Sequence, residues 1–108
     1  MERIKREQSL TIAADASEST VWPVDDMSFG CVQLPASMTG TALAIEGRLA
    51  DSGDWFPVTD PAGVELTIPF VASSIVRIPD AAFGCRALRL VSNDTEAEAR
   101  TINTLAKS

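Results

Sequence analysis

The sequence predicts an all-β protein, a single antiparallel β-sandwich of jelly-roll-like type with about eight or nine short strands and little helix. Three observations predict it. Runs in which apolar and polar residues alternate recur about every ten residues. Clusters of Asp, Gly, Pro and Ser separate the runs. The chain has 108 residues, a length that suits one domain and buries enough surface to hold a core without crosslinks.

The elements follow in order. Residues 8–14 alternate, with Leu10, Ile12 and Ala14 on one face and Thr11 and Ala13 on the other. Residues 15–19 are polar and read as a turn, and 20–24 form a short β-prone run that Pro23 marks as an edge or a strand end. A second turn covers 25–29, and residues 30–34 follow with Val32 and Leu34 inward, stopped by Pro35. Residues 41–49 carry the cleanest alternation, with Leu43 and Ile45 opposite Ala44, Glu46 and Arg48. Asp51, Ser52, Gly53 and Asp54 make a turn; 55–59 is a strand, and Asp60, Pro61, Ala62 and Gly63 turn again. Strands are expected over 64–70 and 74–78, the latter ended by Pro79 and Asp80. Residues 85–92 set Leu88 and Leu90 against Ala87, Arg89 and Val91, and 98–106 make a final strand. Residues 81–83 allow at most one helical turn; 94–100 contain helix formers, but Thr101, Ile102 and Thr104 favour strand. Residues 1–9 are expected as an N-terminal arm ahead of a domain over 10–108.

Composition narrows the function. A formal net charge of −6 disfavours nucleic acid, whose phosphates need clustered Lys and Arg. The single basic cluster, Arg3, Lys5 and Arg6, is flanked by Glu2 and Glu7 and reads as a solvated arm. No run approaches the roughly 20 apolar residues that span a bilayer, and no secretory signal is visible, so a soluble protein made in a cytoplasm is expected. Cys31 and Cys85 are too far apart in sequence for a redox CxxC pair or a zinc knuckle. They read as small buried hydrophobes, and a pairing between them stays open.

Catalytic chemistry has little to draw on. The chain contains no His, which removes the commonest general base, the His-based triads and His-ligated metals. Asp25 and Asp26 are adjacent and point apart on an extended chain; Asp51 and Asp54 flank a turn glycine and lack the multi-oxygen spacing of a calcium loop. No glycine-rich phosphate loop occurs, and Lys5 and Lys107 lie at the ends, away from the serines of the turns. No enzyme, metal or cofactor is expected. Trp22 and Trp55 are core or rim residues by type, although Trp55, just after a turn, is placed to stack on a ligand. Arg86 and Arg89 suit outer-face ion pairs or an interface anchor.

Taken together, several segments carry a resemblance. These are Gln8–Ser9–Leu10–Thr11–Ile12–Ala13–Ala14, Val32–Gln33–Leu34–Pro35, Thr41–Ala42–Leu43–Ala44–Ile45–Glu46–Gly47, Asp54–Trp55–Phe56–Pro57–Val58 and Phe83–Gly84–Cys85–Arg86–Ala87–Leu88–Arg89–Leu90. Their order resembles small structural proteins of tailed bacteriophages, over about residues 8–106. It departs from that pattern at Met38, where an aromatic is common, and at Ala87, where Tyr is common. The resemblance implies a β-sandwich carried on the virion, here a capsid decoration or cement protein that contacts the major capsid protein or other virion neighbours and its own copies. Interface residues are then expected at Arg3, Lys5, Arg6, Trp22, Asp25, Asp26 and Phe29. A head–tail connector or tail protein is the related alternative. The same segments also resemble discoidin-like carbohydrate-binding sandwiches, in which Trp55 and Trp22 would be the stacking residues.

Overall fold

A computed structural model of the chain describes residues 4–108. Nine strands run in chain order: β1 Lys5–Ile12, β2 Trp22–Pro23, β3 Phe29–Gln33, β4 Ala42–Arg48, β5 Phe56–Pro57, β6 Thr67–Pro69, β7 Ile75–Arg77, β8 Ala87–Ser92 and β9 Arg100–Lys107. One 3₁₀ segment, Asp80–Gly84, joins β7 to β8, and no α-helix occurs among the described residues.

The strands form two antiparallel sheets. The first has the order β1-β9-β3-β7; the second has β2-β8-β4-β5, with β6 also on β4. This interleaving, with the first and last strands side by side, is the connectivity of a jelly roll. β5 and β6 lie one after the other along the same edge of β4, opposite Glu46–Gly47 and Ala42–Ala44. They are two halves of one edge strand. Between them the chain turns out as a small hairpin, closed by the Thr59–Glu65 bridge and by Asp60 Oδ1, which accepts from the Ala62 and Val64 N–H groups at 2.9 and 3.0 Å.

The core lies between the sheets, on the alternating positions. β4 supplies Leu43 and Ile45, β8 supplies Leu88 and Leu90, and β1 and β9 supply Leu10, Ile12 and Ile102. Each such side chain contributes about 1.5–3 kcal/mol on burial. Trp22 caps this core, edge-on to Phe83 with ring centroids 5.9 Å apart.

Two expectations need correction. From Lys5 onward the expected arm is strand, because β1 pairs with β9 over its whole length, from Lys5↔Lys107 to Ile12↔Arg100. The charged start hid this: an edge strand keeps one face in water and tolerates Lys, Arg and Glu there. The other concerns Trp22, expected at an interface. It has no exposed surface, because β2 pairs with β8 (Trp22↔Leu88) and turns the indole into the core.

Candidate contact surface

The described residues hold no cluster of three or more His, Cys, Asp or Glu side chains suited to a metal ion. What the fold offers is surface, and it brings several of the expected contact residues together. Arg6, on β1, reaches the 25–26 turn. Its Nη1 donates to the Pro23 carbonyl at 3.0 Å, and its guanidinium lies 3.5 Å from Asp25 and 3.7 Å from Asp26. Pairs this exposed contribute about 0–1 kcal/mol, so they hold the turn in place more than they stabilise the fold.

Lys5, Lys107 and Phe29 stand in one cross-strand row on the outer face of the first sheet, since Lys107 pairs with both Lys5 and Phe29. Phe29 is half-buried, with the Arg77 guanidinium 5.8 Å from its ring centre. Lys5, Arg6, Asp25, Asp26 and Phe29 thus share one end of the molecule. Trp22 lies beneath them in the core, and Arg3 lies outside the described residues. Along the same outer face, Glu7, Ser9, Cys31, Gln33, Ile75 and Leu105 line an open groove of about 530 Å³.

Trp55 sits on the outer face of the second sheet, half-buried. The Arg48 and Arg89 guanidinium carbons lie 4.4 and 4.9 Å from its ring centre. Arg89 also pairs with Glu46 across the β4–β8 ladder at 2.7 Å. Cation–π contacts of this kind contribute about 0.5–2 kcal/mol and tie the ring to the sheet. The expected outer-face pairs of both arginines are present, Arg86 reaching Asp51 at 3.2 Å. Next to this cluster Leu49 and Phe56 are largely exposed; with Arg48, Pro57, Val58 and Cys85 they border a second cavity of about 470 Å³.

One polar centre was not singled out in the sequence. Glu96 is fully buried. Its carboxylate accepts from the Thr39 N–H at 2.8 Å, the Gly40 N–H at 2.9 Å, the Ser92 hydroxyl at 2.7 Å and Arg100 Nε at 2.9 Å. Burial alone would raise its pKa, but these hydrogen bonds outweigh burial and lower it to about 2. All four donors converge on the one carboxylate, which ties the 39–40 loop to the end of β8 and the start of β9. Only the helix-forming character of 94–100 was readable there, and it did not point to such a role.

No protein family matches the chain, and no curated protein sequence matches it. Solved structures do. SPBc2 prophage-derived protein YomS superposes with a TM-score of 0.62 at 16% identity, covering 97% of this chain and 96% of that one. A chain from the disulfide-linked pili of Bacillus endospore appendages superposes with a TM-score of 0.49 at 11% identity, covering 97% and 86%. At such identities the likeness to the prophage protein is one of fold, and it spans both chains almost end to end.

Proposed function

We propose that this chain is a structural protein of a tailed-phage particle, and within it a capsid decoration protein that stabilises the shell by contact. The observation that carries the reading is the end-to-end jelly-roll match to a prophage-derived protein. It is supported by the phage-like run of segments in the sequence, and by an apolar interior in which the one buried carboxylate among the described residues is fully engaged in holding loops. The contact would be made by the end bearing Lys5, Arg6, Asp25, Asp26 and Phe29, with an interface of roughly 1,200–2,000 Å².

Co-sedimentation tests this. Purified protein mixed with cognate capsids lacking it should pellet with them at a copy number near that of the shell subunit. Protein left in the supernatant would defeat the reading; saturation at a few copies per particle would favour a connector or tail position instead. Phe29→Ala combined with Arg6→Ala should weaken binding and leave the fold intact by circular dichroism. The carbohydrate reading loses its support from Trp22, which is buried, and from the two guanidinium groups already stacked on Trp55. Tryptophan fluorescence should stay flat when glycans are added.

A further inference from the structure

We propose that β7 is a homotypic docking edge: two copies of this chain pair their β7 strands antiparallel about a two-fold axis at Val76, so that two four-stranded sheets become one continuous sheet. The Leu34 N–H donates to the Ser74 carbonyl at 2.8 Å, and the Ile78 N–H donates to the Gly30 carbonyl at 2.9 Å. Residues 74, 76 and 78 therefore turn their main-chain groups toward β3. Ile75 and Arg77 turn theirs away, and no partner for those groups is found among the described residues. Both positions are open: Ile75 is 72% exposed and the Arg77 side chain 65%.

The other sheet edges are closed. β1 is covered by the 19–23 strip: the Thr20 N–H donates to the Thr11 carbonyl at 3.0 Å, and Gln8 and Arg6 donate to the Val21 and Pro23 carbonyls at 3.0 Å each. The same strip is the outer edge of the second sheet on that side, so the two edges close each other. On the far side, the β5–β6 edge carries Pro57 and Pro69, which have no N–H to donate, and the hairpin turns out from its middle. Among the described residues, β7 is therefore the one sheet edge that a copy of this molecule can offer to the β7 of another. Such a contact is isologous and closes as a dimer; it cannot propagate into a fibre.

The register is self-complementary. With Val76 on the axis, Ile75 faces the second copy's Arg77, and the two symmetric pairs exchange four N–H···O bonds. Charge allows the approach. The molecule carries a net −6, yet residues 66–79 contain a single charged side chain, Arg77, and Asp80 neutralises it at 3.2 Å. Two acidic copies therefore meet along an edge that adds no like-charge repulsion. Three residues a side bury less than the roughly 1,200 Å² of a stable complex, so the dimer is weak in solution and gains from any array that concentrates it. The inference stands on the edge geometry and does not depend on the virion reading.

Sedimentation equilibrium up to millimolar protein, paired with amide NMR, tests it. The wild type should dimerise with concentration, and the amide signals that move should be those of residues 73–78. Ile75→Pro removes an N–H that β3 does not use, so the variant should keep its fold and lose dimerisation. If that variant fails to fold, Ile75→Lys serves: it sets a like charge against the second copy's Arg77 and should weaken the dimer about tenfold or more. A wild type that stays monomeric throughout, or a dimer that survives a folded variant, overturns the proposal.

Discussion

Glu96 shows how a single side chain holds one end of the sandwich. Its donors come from the 39–40 loop, from Ser92 at the end of β8 and from Arg100 at the start of β9. Its own N–H donates to the Ala16 carbonyl, and its carbonyl accepts from the Asp15 N–H, which adds the loop after β1. In Glu96→Gln one acceptor oxygen becomes an amide donor facing other donors, and the charge that balances Arg100 is lost. Thermal denaturation should show a loss of about 3 kcal/mol. The pH dependence has a definite sign. The folded carboxyl titrates at about 2, below its ordinary 4.5, so the unfolded chain binds the extra proton first. The stabilisation is complete above about pH 5, worth about 3 kcal/mol, and is lost as pH falls toward 2. Denaturant melts across that window should show the wild type weakening more steeply than Glu96→Gln; equal slopes would remove Glu96 as the cause. None of this was legible in sequence, because the backbone donors lie 57 and 56 residues away and only the fold brings them together.

Strands were more legible than contacts between them. The alternation of Leu43 and Ile45, and of Leu88 and Leu90, located β4 and β8 and their buried faces, because one sheet face in water and one in the core forces a period of two. Sheet order was not legible, since it depends on which distant strands meet. The run at 64–70 shortened to Thr67–Pro69 because the preceding residues belong to the hairpin that interrupts the edge. Glycines expose the same packing. A Cβ on Gly47, inside β4, would lie 2.6 Å from Cys85 Sγ and 3.1 Å from Val58 Cγ2, whereas one on Gly84 would meet nothing within 4 Å. Gly47→Ala should therefore cost about 1–3 kcal/mol in a chemical melt, and Gly84→Ala should be close to neutral. Equal effects would mean that the β4–Cys85 contact is loose. The two thiols lie apart in the fold: Cys31 is on the outer face of β3, while Cys85, in the bend before β8, packs at Gly47, and both are free. Burial pushes the Cys85 thiol pKa up, which lowers its thiolate fraction. Reductant should leave the melting temperature unchanged, and alkylation followed by mass spectrometry should find Cys85 slow in the folded protein and fast after denaturation.

At the scale of the whole molecule, the pairing of the first strand with the last dominates. β1 and β9 lie side by side over eight pairs, from Lys5↔Lys107 to Ile12↔Arg100. Beyond them the Ile4 N–H donates to Ser108 Oγ and the Ser108 N–H donates to the Ile4 carbonyl, both at 2.8 Å, across a separation of 104 residues. Closing so long a loop before any reward comes from the contact slows folding, as in other all-β topologies. The same geometry makes the order of the elements along the chain negotiable. Joining Ser108 to Ile4 through a short Gly-Ser linker turns β9 and β1 into a hairpin, and new ends fit between Ser52 and Gly53, in an exposed turn where Gly53 has φ 108° and open space around it. The permuted chain keeps every strand pair of the jelly roll, so its melting temperature should stay within a few degrees of the parent. Its β1–β9 ladder becomes local, so stopped-flow refolding should be faster. A permutant that folds no faster would show that β1–β9 pairing follows the rate-limiting step, which would then lie in the second sheet, where β8 meets β4. A permutant that fails to fold would show that the 51–54 turn, and not the closure of the two ends, is what the sandwich cannot lose.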